Sequence, residues 1–201
     1  MAMRPRWIAA LTLAVALCSG CGALKRFAYE GFGRDAWQKP DEVVALLGIR
    51  AGDRVADLGA GGGYFTFPLA DAVGADGRVY AVDVDEDMIR YLRRRAAKQG
   101  YANVEVLRAE PDHPGLPEGE IDLLFTCNTY HHLADRVRYF EAALDVLEPA
   151  GRVAIIEYDS GDHATPPQTI LDEMSRAGYR LEADHAILEQ QSFLIFVPDD
   201  D

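Results

Sequence analysis

The chain has 201 residues, 49% of them hydrophobic, and a formal net charge of −13. That size and apolar content suit one globular domain with a sizeable core. The acidic balance argues against a nucleic-acid partner held through phosphates, and no Cys/His spacing suggests a metal site.

Residues 1–20 read as a leader outside the fold. Arg4 and Arg6 make a positive start, and Trp7 to Leu17 is an apolar run too short to span a bilayer but suited to a signal peptide. It leads into Cys18-Ser19-Gly20-Cys21, where small residues before a cysteine resemble a bacterial lipobox. Cys18 stands where that motif usually has leucine, and there is no Arg-Arg pair. Lipid on Cys21 would anchor the chain to the membrane of a bacterial cell envelope; a plain secretory signal, giving a periplasmic or secreted protein, is the alternative. With Cys18 removed and Cys21 lipidated, only Cys127 remains and no intrachain disulfide can form.

Residues 21–39, aromatic-rich around Trp37, read as a linker, and residues 40–198 as the domain. Pro40-Asp41 opens a short helix to Leu47. Strands are predicted at Arg54–Leu58, Arg78–Asp83, Val104–Arg108, Ile121–Cys127 and Arg152–Tyr158. Helices are predicted at Tyr64–Val73, Glu86–Gln99, Ala134–Leu147 and Gln168–Ala177. The main strands are short, nearly continuous apolar runs, as in Val153-Ala154-Ile155-Ile156, so both faces of a parallel sheet are covered by helices. Tyr179–Ala186 and Ser192–Val197 have no helix between them and should pair as an antiparallel hairpin. Arg90, Arg93, Arg94, Arg95 and Lys98 fall mostly on the wet face of one helix.

The turn after the first strand carries the chemistry. In Asp57-Leu58-Gly59-Ala60-Gly61-Gly62-Gly63, glycines at 59, 61 and 63 would let a ligand rest on main-chain N–H groups. Asp83 ends the next strand, where a βαβ nucleotide site has a carboxylate for ribose hydroxyls. Tyr64 occupies the third glycine position of the dinucleotide fingerprint, and no lysine lies between Lys39 and Lys98 to complete a phosphate-binding loop.

Four pieces in order resemble the class I S-adenosylmethionine (SAM)-dependent methyltransferases, of the small UbiE-like kind. They are Val55 to Thr66, Val82-Asp83-Val84-Asp85, Ile121 to Phe125 followed by Tyr130-His131-His132-Leu133, and Leu147-Glu148-Pro149-Ala150-Gly151-Arg152-Val153, with Ala150 replacing a glycine. The resemblance implies a Rossmann-like α/β fold: a mostly parallel seven-stranded sheet with an antiparallel C-terminal hairpin and helices on both faces. It implies SAM as cofactor, with Gly59, Gly61 and Gly63 under its methionine part. Asp57 would act on the ammonium group or cap the turn. Asp83 would accept both ribose hydroxyls, or else cap the following helix. Asp112, four residues before Leu116, would bond the adenine amino group, with Val84 and Met88 as apolar walls.

Asn128 could touch SAM or the acceptor, and His131 or His132 could be a general base or pack beneath the loop. Glu157, Tyr158 and Asp159 end a strand on the same edge, and the loop His163 to Pro167 could fold over it. The expected reaction is in-line transfer of a methyl group to a small-molecule acceptor. An exported chain would face away from the compartment where SAM is made, which keeps open a second class: a non-catalytic envelope module that binds a nucleoside-like ligand.

Overall fold

The computed structural model describes residues 33–110 and 113–199. The leader, Cys21, most of the stretch read as linker, and Asp112 lie outside the described residues. Seven strands form one sheet: β1 Arg54–Leu58, β2 Arg78–Asp83, β3 Val104–Arg108, β4 Ile121–Cys127, β5 Leu147–Tyr158, β6 Tyr179–Asp184 and β7 Gln191–Pro198. Their order is β3-β2-β1-β4-β5-β7-β6. Neighbours from β3 through β5 pair in parallel, and β7 runs antiparallel to both β5 and β6. The helices are α1 Arg34–Gln38, α2 Pro40–Leu46, α3 Thr66–Val73, α4 Glu86–Gln99, α5 Arg136–Ala143 and α6 Pro167–Arg176. No helix among the described residues is long and apolar enough to cross a membrane.

Alternation along each strand divides the core. Leu58, Tyr80, Val82, Leu124 and Ile155 pack on the face covered by α5 and α6. Val55, Val79, Leu123, Phe125 and Ile156 pack on the face covered by α2 and α3. Helix α4 adds Ile89 and Leu92 against Ala81 and Val106. Because both faces are dry, the central strands carry almost no polar alternation, which is why they read as nearly unbroken apolar runs, whereas the edge strands β3 and β6 are largely exposed. Ile170 and Met174 of α6 are fully buried, and two such side chains hold a helix with about 3–6 kcal/mol.

The chain reverses direction across the sheet at β1. It builds β2 and β3 on one side, then crosses to lay β4 on the other. Leu58 is level with both Val82 and Thr126, so the loops after β1, β2 and β4 open at one edge. That crevice, at the carboxyl ends of the strands, is where open α/β sheets bind ligands.

Several boundaries differ from the sequence reading. Strand β5 begins at Leu147, because Leu147 pairs with Ile121 ahead of a register shift. Pro149 disfavours helical geometry at Glu148, so the expected long helix stops at Ala143 and tightens into a 3₁₀ turn over Leu144–Val146. Gly151 is needed at that entry: a Cβ there would lie 2.7 Å from the Ile121 carbonyl oxygen. Helix α3 begins at Thr66 instead of Tyr64. Finally, the stretch read as linker up to Lys39 contains α1, whose Gln38 is completely buried.

Candidate functional site

The loop after β1 is strapped to the end of β2. The N–H groups of Gly59 and Ala60 both donate to the Val82 carbonyl, at 2.8 and 3.1 Å. Gly59, Gly61 and Gly63 all take left-handed backbone angles, with φ of 73°, 53° and 87°. A Cβ at Gly59 would lie 2.6 Å from Thr129 Cγ2, and one at Gly63 would lie 2.5 Å from Leu92 Cδ1 and 2.7 Å from Phe67 Cε2. These two glycines therefore answer to the protein's own packing. Gly63 does not line the cleft, contrary to its expected role under a ligand, whereas Gly62, not singled out in the sequence, does. Arg95, expected on a wet helix face, instead donates to the Gly62 carbonyl at 2.8 Å and stacks over Phe67 at 4.8 Å.

Asp83 closes the loop from the neighbouring strand. Its Oδ2 accepts the Gly61 N–H at 2.7 Å and its Oδ1 accepts the Asp85 N–H at 2.8 Å. Each oxygen keeps a further lone pair for a ligand. The cap of α4 is Asp85, which accepts from the Asp87 N–H at 2.8 Å, so the alternative helix-capping role of Asp83 is taken by its neighbour. Asp57 lies deeper, 3% exposed, with Oδ2 accepting the Thr66 hydroxyl at 2.6 Å. Burial pushes its carboxyl up to about 6, with the Asp83 charge adding to the rise and the Thr66 bond and Arg34 opposing it.

Asp57, Gly59, Gly61, Asp83 and Asn128 all line one cleft of about 390 Å³. Val84 lines it too and is well exposed, but Met88, the other expected apolar wall, is buried on the inner side of α4 and is not among the lining residues. Helix α1 forms part of the rim. Trp37 stacks on Tyr158 with ring centroids 6.2 Å apart, and the Arg34 guanidinium sits 3.8 Å over the Tyr64 ring. Gln38 fastens that helix, its amide donating to Cys127 Sγ at 3.0 Å and Gln191 Oε1 at 2.9 Å. Gln191 in turn donates to Asn128 Oδ1 at 2.5 Å. Asn128 has φ of 55°, a left-handed turn that asparagine tolerates well. The Cys127 thiol is pushed up to about 12, first by desolvation, so it is no nucleophile at neutral pH. The sequence offered no signal for α1 as a wall beyond Trp37 in an aromatic-rich stretch.

The two histidines part company. His132 lines this cleft and also a second one of about 400 Å³; His131 lines only the second, with Arg136, Asp162, His163 and Thr165. His131 Nδ1 lies 3.0 Å from Glu157 Oε2, and Glu157 is completely buried. His132 is held below the ordinary histidine range, mainly by desolvation and then by the neighbouring His131. Of Glu157, Tyr158 and Asp159, expected on the acceptor side, only Tyr158 lines a cleft, the first one, while residues 163–166 line the second.

The family comparisons agree with this architecture. Residues 49–193 match the model of the methyltransferase domain. The chain is 33% identical over 103 residues to the aklanonic acid methyltransferase DauC of Streptomyces sp. (strain C5), covering 51% of this chain and 47% of that protein. It is 31% identical over 126 residues to the ubiquinone/menaquinone biosynthesis C-methyltransferase UbiE of Pseudomonas fluorescens, covering 61% and 48%. The chain thus spans about half the length of these curated relatives. Among solved structures it is similar to a SAM dependent methyltransferase from Aquifex aeolicus, with a TM-score of 0.78, 28% identity, and coverage of 86% of this chain and 96% of that one. A strapped glycine loop at the sheet's reversal, a carboxylate on the adjoining strand and a family match over most of the chain lead to one conclusion: it belongs to the methyltransferase-domain family.

Proposed function

We propose that this protein is a SAM-dependent methyltransferase that passes a methyl group directly to a small-molecule acceptor. The observation that carries the reading is the bond between Gly61 N–H and Asp83 Oδ2 on the wall of the first cleft. It ties a bare main-chain loop to an acid that still has lone pairs to offer.

The residues present fit SAM. A cleft of about 390 Å³ is within the usual range of roughly 300–1,000 Å³ for small-molecule sites. Its described walls carry Asp57 and Asp83, suited to an ammonium group and to hydroxyls, and Arg34 as their one permanently charged cation. Such walls suit a positively charged ligand better than a polyphosphate. Bound SAM would supply an activated methyl on a sulfonium. The chain's share is to hold donor and acceptor in line, a positioning effect worth about 7–11 kcal/mol. His132, on the wall shared by the two clefts, and His131 behind it are the bases available where an acceptor must lose a proton.

Calorimetric titration of the purified protein with SAM and S-adenosylhomocysteine tests the reading. Micromolar binding that Asp83→Ala abolishes supports it. No heat with either ligand would leave only a binding module of another kind.

The leader supports a second proposal, that Cys21 carries lipid and tethers the domain to a bacterial cell envelope. Radiolabelled palmitate should enter the wild-type protein and not Cys21→Ala; equal labelling of both, or of neither, refutes the anchor.

A further inference from the structure

The second cleft has a base with a fixed tautomer and, among the described residues that line it, no free guanidinium. It lies between the turn after β4, the start of α5 and the segment leading into α6. His132 belongs to its wall and to that of the first cleft, so occupants of the two clefts would meet at this side chain.

Glu157 is bonded in a way that orients His131. Its Oε1 accepts the Tyr158 N–H at 2.8 Å, and its Oε2 faces the His131 backbone N–H at 3.2 Å and Nδ1 at 3.0 Å. A carboxylate only accepts, so Nδ1 carries the hydrogen, and in the neutral ring Nε2 keeps its lone pair. The charges around the cleft are already matched or negative. Arg136 is clamped by Glu173 through bonds of 2.6 and 2.7 Å, and Glu173 also takes the Tyr130 hydroxyl at 2.8 Å. Asp162 on the wall and buried Glu157 add negative charge. Among the described residues that line the cleft, the one arginine is already paired, so they offer a carboxylate or phosphate no free guanidinium.

We propose that the second cleft holds the methyl acceptor, and that this acceptor is an uncharged molecule presenting a phenol or enol hydroxyl to His131 Nε2. The inference rests on the methyltransferase reading. A neutral hydroxyl is a weak nucleophile until its proton leaves, whereas a neutral amine attacks without a base; the Glu157–His131 pair is built for the first case. As the hydroxyl oxygen bonds to the methyl carbon, its proton passes to Nε2 and the carbon–sulfur bond breaks, leaving its electron pair on sulfur. The products are a methyl ether, a neutral thioether and an imidazolium held against Glu157, which then returns its proton to water.

The test uses the full-length protein with ¹⁵N-labelled histidine, phenol as probe, and benzoate and cyclohexylamine as comparisons. S-adenosylhomocysteine binding is measured separately by calorimetry. At neutral pH His131 should give the Nδ1–H pattern of nitrogen shifts, and phenol should move its Nε2 resonance with saturation in the millimolar range. Glu157→Leu removes the acceptor from His131 Nδ1, so it should abolish the Nδ1–H preference and weaken phenol about tenfold while S-adenosylhomocysteine binds as before. Should that variant not fold, His163→Ala on the exposed rim should weaken phenol about threefold. Phenol without effect on His131, equal or tighter binding of benzoate or cyclohexylamine, or unchanged phenol affinity in the folded variants would overturn the proposal. Phenol binding without S-adenosylhomocysteine binding would instead overturn the donor reading on which it rests.

Discussion

Replacing Asp57 with asparagine should stabilise the protein at neutral pH while harming its donor cleft. The Asp57 carboxyl is raised from 3.8 to about 6, chiefly because it is buried. A shift of that size corresponds to about 3 kcal/mol between the charged and neutral forms. The unfolded chain gives up this proton more readily than the folded one. Stability is therefore fully present below pH 3.8 and is lost as the pH rises through 6. Asparagine has the same shape, can still accept from Thr66, and never ionises. Its advantage over the wild type should grow by about 1–1.5 kcal/mol between pH 5 and pH 7.5, the part of the full effect that falls in this interval. Urea unfolding at pH 5, 6 and 7.5 measures it, and the same samples should bind SAM more weakly because a positive group has lost its partner. A constant offset between the two proteins across this range would refute the reasoning, since it would mean that Asp57 does not titrate there.

Three more outcomes are expected. Asp83→Asn loses one of two charged acceptor positions, those for the N–H groups of Gly61 and Asp85; calorimetry should find S-adenosylhomocysteine weakened about 10- to 100-fold, with helix content by circular dichroism unchanged. Gly63→Ala drives a Cβ to within 2.5 Å of Leu92 Cδ1 at a φ of 87°, so urea unfolding should show a loss of about 2–4 kcal/mol from left-handed strain and overpacking together. Glu173→Gln breaks the paired bonds to Arg136, which with the Tyr130 hydroxyl hold the Glu173 carboxyl below its ordinary range. The cost should be about 1.5–3 kcal/mol at pH 7, and it should shrink as the pH falls below 4.5, where the unfolded chain takes up the proton first and the folded glutamate follows at lower pH.

Strands β1, β2 and β4 were legible to the residue because a short apolar run, buried on both faces and bounded by turn residues, fits little besides a central parallel strand; β3, at the sheet edge with only Val106 buried, was legible from its alternation. The juxtaposition of the glycine loop and Asp83 was legible for a related reason: one βαβ unit fixes both ends of the crossover. What escaped was set by distant partners. Helix α1 has only five residues and no apolar period of its own; it is held by an amide reaching Cys127 and Gln191. Nothing near His131 in the chain announces Glu157, 26 residues away. The glycine at 63 was read as making room for a ligand, yet the atoms it makes room for are Leu92 and Phe67, and Gly59, which lines the cleft, also makes room for Thr129. Close approach between segments looks the same in a sequence whether the neighbour is a cofactor or a side chain.

The completely buried Gln38 makes the cleft's doorway a composite of three distant stretches of chain. Any attempt to graft a different entrance helix onto this scaffold, to admit bulkier or more polar acceptors, would have to carry matching residues at 127 and 191. A transplanted helix with an aliphatic residue at 38 would strand the Gln191 amide oxygen and the Cys127 thiol in the interior, and the new doorway would swing loose from its frame.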